Sequence, residues 1–274
     1  MWTDKDREKY KDNGSRYPSD LTNAEWNVIK PLFQDYFTFT ADLREMVNAC
    51  FHLEHTGCPW RSPPTGFGAW QTVRTWYDRF RADGVWADAA AQLTRRVREA
   101  HGRSAEPATG IMDSQSVVSG PQRGERGFDG NKKIKGVKRH VLTCSLGFVL
   151  AILVTAANVH DTKAAEILLD RAVENEFRLD RIKVDGIYVG PVVRTAAYRH
   201  NVDFQVSTRE SKSDGFAPLP LRWRIEVTFG TMTNRYRRLT RNLEQHAKSA
   251  EDAFELANFR RILRVYARDV HSIA

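Results

Sequence analysis

Three acidic residues, far apart in the chain, have the surroundings expected of metal ligands. Asp113 lies in the middle of a short apolar run, ATGIMDSQSVV, from Ala108 to Val118. Ser114 and Ser116 alternate with Gln115 and Val117, and this period of two predicts a strand. A lone carboxylate in a core strand is costly unless a cation or another partner neutralises it. This context indicates a metal site.

Two further acids are suitably placed to join Asp113. Asp185 follows a short strand predicted over Arg181–Val184 and precedes Gly186, where the backbone can turn sharply. Glu226 lies in a helix predicted from Arg222 to about Leu239 and flanks its apolar stripe. Adjacent parallel strands would bring Asp113 and Asp185 together, and Glu226 could point toward them along the sheet edge. Taken singly, Asp185 reads as an ordinary turn residue, and Glu226 as half of a surface salt bridge.

Carboxylates from distant parts of the chain suit phosphoryl transfer. Two divalent cations can activate the attacking oxygen and stabilise the leaving oxygen. Magnesium prefers oxygen ligands and takes few of them from the protein. The three acids would therefore suffice to hold two ions.

Positive charge is concentrated in two stretches of the chain. The formal net charge is +8, with seven Lys/Arg against two acids in 119–140 and six Arg against one acid in 222–241. Such local fields suit a polyanion, most simply a nucleic acid backbone, although solvated surface charge is the plainer alternative. The candidate DNA contacts are Lys132, Lys133, Lys135, Lys138, Arg139, Arg222, Arg235, Arg237 and Arg238.

The chain divides into two kinds of sequence. Residues 1–19 are polar and predict a flexible leader, and 20–104 show helical periodicity four times over. This helical unit is a candidate DNA-binding domain, with its third helix as the recognition helix. A packing or dimerisation role is the alternative, since the loop before that helix is too long for a tight helix-turn-helix.

The second half predicts an α/β fold. After the Asp113 strand come a hairpin around Ser145–Gly147 and then alternating helices and strands. This order of elements is that of a ribonuclease-H-like mixed sheet. The predicted catalytic domain spans 105–245, and a C-terminal helix, in 246–274, is expected to pack on it.

Other residues invite competing interpretations. Asp161 is the main rival for the second acid, but its place before an apolar helix predicts an N-cap. Cys50, His52, His55 and Cys58 could suggest zinc, yet Cys50 already belongs to an apolar helical stripe.

The three cysteines form no CxxC pair, so a reducing, cytoplasmic compartment is expected. No stretch approaches the length of a membrane span.

Several motifs, in series, resemble the DDE transposases of bacterial insertion sequences, in the group typified by insertion sequence five. The matching stretches are YPSDLTNAEWNVIKPLF, HTGCPWRSPP with WQTVRTWYDRF, GIMDSQSV, KKIKGVKRH, VDGIYVG and RWRIEVTFGTMTNRYRRLTRNLE. They cover about 20–270 in family order. Each motif alone is weak, but the whole series is specific.

The resemblance implies catalytic and metal-binding roles for Asp113, Asp185 and Glu226, with two Mg²⁺ or Mn²⁺ ions. It implies double-stranded DNA as the partner, both terminal inverted repeats and target DNA, a homodimer on that DNA, and a nucleoid-associated location. The family's signature around the third acid also carries a Tyr and a Lys. Here those positions are Leu219 and Thr233, and Arg235 could take over the lysine's phosphate contact.

The resemblance predicts a transposase that cleaves the element end and joins the freed 3′-hydroxyl to target DNA. Two alternatives share the fold: a DNA-binding regulator that has lost catalysis, and a plain metal-dependent nuclease. Intact acids at all three positions argue against the first, and strand joining would exclude the second.

Overall fold

A computed structural model of the chain describes residues 16–36, 38, 41–207 and 222–269. Most of the predicted leader, 1–19, lies outside this part, and so does a loop predicted over 210–220. No helix in the described ranges is both long enough and apolar enough to cross a membrane.

In the described part of the chain, six strands form one mixed sheet. They are β1 (Thr109–Val118), β2 (Gly127–Asp129), β3 (Ile134–Cys144), β4 (Val149–Ala156), β5 (Arg181–Val184) and β6 (Asp203–Val206).

The strand order is β4–β3–β1–β5–β6, and β2 pairs with the first residues of β3. β1, β3 and β4 form an antiparallel meander, whereas β5 and β6 run parallel to β1. Three meander strands followed by two parallel strands beside the first confirm the predicted ribonuclease-H-like arrangement.

The described helices form two groups along the chain. The first group is α1 (Asn23–Ile29), α2 (Leu43–Thr56), α3 (Trp70–Ala82) and α4 (Val85–Ala100). The second is α5 (Ala164–Glu174), α6 (Pro191–His200), α7 (Arg222–Arg235) and α8 (Ala247–Asp269).

Local sequence signals account for several element ends. Thr22 and Glu25 form a capping box at the start of α1, as the Thr-x-x-Glu spacing predicts. The helix predicted to reach Leu239 ends earlier, at Arg235, because Tyr236 has an extended backbone (φ −114°, ψ 99°). A short 3-10 helix, Arg237–Leu239, follows it. The stretch after β1, 119–133, is rich in glycine and charge and predicts a loop, but the structure shows that it also contains β2.

The sheet separates two apolar clusters. On one face, Ile111 and Val117 of β1 and Val137 and Val141 of β3 pack with α7 and α8. On the other face, Met112, Leu142, Ile182 and Val184 pack in a cluster that includes α5 and extends into the helices α1 to α4. Alternation along each strand therefore decides which helices a side chain meets.

The C-terminal helix α8 joins the two halves of the molecule. It packs against α4 and α2 as well as against β4. Its buried Arg260 lies 2.9 Å from the carboxylate of Glu25 in α1. The division into 20–104, 105–245 and 246–274 stays a prediction, since the apolar core runs without a break from the helices into the sheet.

Candidate functional site

The pairing of β1 with β5 brings the ends of the two acid-bearing strands together. The parallel register matches Gly110 with Ile182 and Ile111 with Lys183. Two residues further on, the same register leads to Asp113 and Asp185, which directly follows β5. Asp113 lies on the face of the sheet that Ile111 shares, because side chains alternate along a strand, and Asp185 begins the turn at the neighbouring strand end.

Helix α7 covers this same face. Ile225, Phe229 and Met232 of α7 pack in one cluster with Ile111 of β1, and the helix contacts that strand directly. Glu226 is next to buried Ile225 and is exposed. The sheet and the helix therefore bring all three predicted acids to one side of the fold.

The three side chains do not form a ready-made metal cage. Among the described residues, no three His, Cys, Asp or Glu side chains are grouped closely enough to hold a metal ion. Asp185 also has the turn role that its context predicted, since its Oδ1 accepts the N–H of Ile187 at 3.0 Å. Asp113 Oδ1 accepts the N–H of Ser114 at 2.7 Å. The donor set nevertheless fits magnesium or manganese, which bind carboxylate oxygens.

Asp161 belongs to a different cluster, on the opposite face of the sheet. Its Oδ1 lies 3.1 Å from Lys138 Nζ and 3.6 Å from Nδ1 of buried His140. The prediction that Asp161 caps a helix is wrong, because the cap is His160, which precedes a 3-10 helix over Asp161–Lys163. Burial lowers the pKa of His140 to about 4, although Asp161 partly offsets this. The Asp161 carboxylate thus has a structural task as the partner of Lys138.

Five of the predicted DNA-contacting cations are exposed. They are Lys132, Lys133 and Lys135, at the tip and edge of the β2–β3 hairpin, and Arg235 and Arg237, at the end of α7. Arg222 is the first residue of α7, and its side chain lies outside the described part.

The other three cations are buried and engaged by the protein itself. Lys138 donates to the carbonyl of Val159 at 2.9 Å, and Arg139 donates to that of Leu239 at 2.8 Å. Arg238 forms a 2.5 Å salt bridge with Glu244. These three side chains therefore bind groups of the protein itself and do not present a charge to solvent.

A buried acid that was not predicted from the sequence lies near Arg238 and Arg139. Glu54 of α2 is buried, and its Oε1 has no hydrogen-bond partner. Burial raises the pKa of Glu54 to about 8, and Arg238 only partly counteracts that rise. The available signal was its position, four residues after Cys50 and seven after Val47, which puts Glu54 on the apolar stripe of α2.

Comparison with solved structures finds transposases. The chain is similar to the Mos1 transposase in its strand transfer complex, at 12% identity, covering 97% of this chain and 90% of that one, with a TM-score of 0.30. It is also similar to that transposase in a paired-end complex with the left transposon end, at 11% identity, covering 97% and 91%, with a TM-score of 0.31. Scores of this size do not establish a shared fold. None of the curated proteins matches the chain.

Two family models match the chain itself. One is described as "Putative transposase of IS4/5 family" and matches residues 21–90. The other is described as "Transposase DDE domain" and matches residues 104–257, which is more than half of the chain and includes all three predicted acids. The strand order, the placement of the acids and these matches lead to one conclusion: the chain belongs to the DDE-domain transposases of the IS4/IS5 type.

Proposed function

We propose that Asp113, Asp185 and Glu226 are the metal-binding catalytic carboxylates of this DNA transposase. The observation that carries the proposal is the register of β1 and β5, which leads to the two aspartates on the face covered by α7. Since the three acids form no metal cage in the described structure, we expect them to come closer together when metal and DNA bind.

Transposases of this family depend on a divalent metal. We propose two ions, Mg²⁺ or Mn²⁺, held by the three carboxylates. When bound, such ions stabilise charge on the attacking and leaving oxygens of an in-line displacement at phosphorus. The chain's own part is to bring two carboxylates from rigid strand ends and a third from a helix to one side of the sheet.

The exposed cations of the catalytic half are proposed to bind the DNA backbone. Lys133 and Lys135 extend from the β2–β3 hairpin, and Arg235 and Arg237 extend from the end of α7. Phosphate contacts of this kind give affinity and register without reading sequence. The proposed DNA comprises the terminal inverted repeats and the target, and a homodimer would hold two ends together.

The helical unit is proposed to read the element end through α3. Its exposed residues Gln71, Thr72, Thr75 and Arg79 lie on one side of the helix and include no acid. The guanidinium of Arg79 lies 5.1 Å from the ring centre of Trp76, a contact that orients the arginine. Polar side chains on one helix face are the usual readers of base edges in a major groove.

The proposal is tested by cleavage of DNA that carries the sequences flanking the gene. Wild-type protein is expected to cut it only when Mg²⁺ or Mn²⁺ is present. Asp113→Asn, Asp185→Asn and Glu226→Gln should each lower the cleavage rate by at least about a hundredfold, because each removes a charged metal ligand. Glu174→Gln, at an exposed acid of α5, is the matched control.

DNA affinity of the same variants separates chemistry from binding. Unchanged affinity with lost cleavage supports catalytic roles for the three acids. Wild-type cleavage by any one of the three variants would remove that residue from the proposed site. Cleavage without joining of the 3′-hydroxyl to a target duplex would indicate a nuclease.

A further inference from the structure

The β2–β3 hairpin combines an exposed aromatic residue with exposed positive charge. Phe128 of β2 pairs directly with Lys135 of β3, so the two side chains lie together on one face. Phe128 is 58% exposed, and Lys133 in the connecting turn is exposed as well. An exposed ring flanked by exposed cations complements a surface that combines negative charge with apolar groups.

The base of the hairpin is firmly held. Ser116 Oγ of β1 donates to Asp129 Oδ2 at 2.5 Å, and Asp129 Oδ1 accepts the N–H groups of Asn131 and Lys132 at 3.0 and 3.1 Å. A Cβ on Gly136 would lie 2.0 Å from the carbonyl oxygen of Val117, so β3 passes very close to β1 here.

The tip is open and tightly turned. A Cβ on Gly130 would meet no atom within 4 Å. Lys133 has a φ of 55°, a left-handed conformation that few non-glycine residues adopt. The turn folds back over β1, where Lys132 Nζ donates to the carbonyl of Ser114 at 3.3 Å, while Lys133 stays exposed.

Phe128 and Lys135 of the hairpin lie on the side of the sheet that carries the acids. Lys135 has the same parity along β3 as Val137 and Val141, which pack under α7. Asp113 pairs with Val141, six residues along β3 from Lys135. At a rise of about 3.4 Å per residue, Lys135 lies roughly 20 Å from Asp113 along the strand, or about six base pairs of duplex.

We infer that this hairpin enters the major groove of duplex DNA, where Phe128 contacts thymine methyl groups and Lys133 and Lys135 contact the flanking phosphates. A major groove about 12 Å wide admits a two-stranded β-ribbon, and phenylalanine is one of the residues that pack against the thymine methyl group. We favour DNA over an apolar protein partner because exposed Lys133 and Lys135 flank the ring of Phe128. The inference rests on the proposed DNA-binding function and adds a base contact to it.

The test removes the methyl group from the DNA and the ring from the protein. The probes are alternating dA–dT and dA–dU duplexes, which differ only in the C5-methyl group of the pyrimidine. Wild-type protein should bind the dA–dT duplex about fivefold more tightly, which corresponds to about 1 kcal/mol. Phe128→Ala should bind both duplexes equally, at the weaker affinity. Val173→Ala, at an equally exposed apolar side chain of α5, should keep the wild-type preference.

The outcomes are distinct from those of the cleavage test. Equal binding of the two duplexes by wild-type protein overturns the inference, and so does a preference that survives in Phe128→Ala. In both cases the proposed catalytic site stands. If wild-type protein binds neither duplex at low salt, the inference and the proposed DNA surface both fail. The comparison of duplexes with wild-type protein needs no variant, so a poorly folded Phe128→Ala protein would not leave the question open.

Discussion

At the scale of single residues, the destination of a charged side chain depends on the parity and depth of its strand position. The run KKIKGVKRH reads as one basic segment, yet Lys133 and Lys135 are exposed, whereas Lys138 and Arg139 are buried. Composition predicted the positive charge of this run but not its division, because burial depends on helices that come from distant parts of the chain. The strand around Asp113 was predictable from the sequence pattern, and the metal role of this acid stays a prediction, based on the cost of a lone carboxylate in an apolar strand.

Asp185 and Asp161 were the two candidates for the second acid, and the structure gives Asp161 a role in stability. Asp161→Asn should lower the free energy of unfolding by about 3 kcal/mol, because it removes the nearer of the two carboxylates that compensate largely buried Lys138. The folded variant should still cleave DNA at close to the wild-type rate, since Asp161 lies on the opposite face of the sheet from Asp113. Thermal unfolding measures the predicted loss of stability, and the cleavage rate of the same preparation measures the predicted retention of activity. Stability like that of the wild type, or cleavage lost from folded protein, would contradict this assignment.

At the scale of elements, local pattern predicted the order of strands and helices better than their ends. β5 was expected where it lies, because alternating Ile182 and Val184 come directly before the breaker pair Asp185–Gly186. The last turns expected for α7 are absent, because Tyr236 leaves the helical region and its side chain packs into the core. β2 was missed, since three residues are too few to show a period.

The contact between β1 and β3 depends on a glycine. Gly136→Ala should prevent the close approach to the Val117 carbonyl and cause a large loss of stability, of about 3 kcal/mol or more, through overpacking of backbone. Gly130→Ala, in the same hairpin, meets open space and should change stability by less than about 0.5 kcal/mol. Denaturant unfolding of the two variants makes the comparison. Equal stabilities would show that the two strands can separate here without cost.

At the scale of the whole molecule, α8 is what makes the helices and the sheet one body. Periodicity predicted this helix but not its neighbours, because its contacts with α1, α2 and α4 join distant parts of the chain, Asn23–Ala100 with Ala247–Asp269. The pair Arg260–Glu25 is the most deeply buried of these links, at 2.9 Å. Burial raises the pKa of Glu25, but the Arg260 guanidinium, the backbone N–H of Thr22 and Arg264 together more than offset this, so the net shift is downward.

Breaking that pair should destabilise the whole chain. Arg260→Met should cost about 3–5 kcal/mol at pH 7, because Glu25 is left as an uncompensated buried charge. A carboxyl whose pKa is lowered in the folded state contributes stability above its unfolded value, and this stability is lost as the pH falls through the folded pKa. The difference between variant and wild type should therefore shrink below about pH 4.5.

Thermal unfolding at several pH values measures this effect. Arg268→Met, at an exposed arginine of the same helix paired with Asp269, is the control and should stay within about 0.5 kcal/mol of wild type. A difference between Arg260→Met and wild type that is small, or that does not change with pH, would contradict a linking role for the pair.

Manganese binding to the uncleaved protein–DNA complex tests most directly whether Asp113, Asp185 and Glu226 hold the catalytic metal. Electron paramagnetic resonance distinguishes bound from free Mn²⁺, and it does not depend on turnover. We predict that Asp113→Asn and Asp185→Asn each lose bound Mn²⁺ relative to wild type, whereas Asp161→Asn binds as much as wild type. Undiminished Mn²⁺ binding by Asp113→Asn or Asp185→Asn would contradict the account.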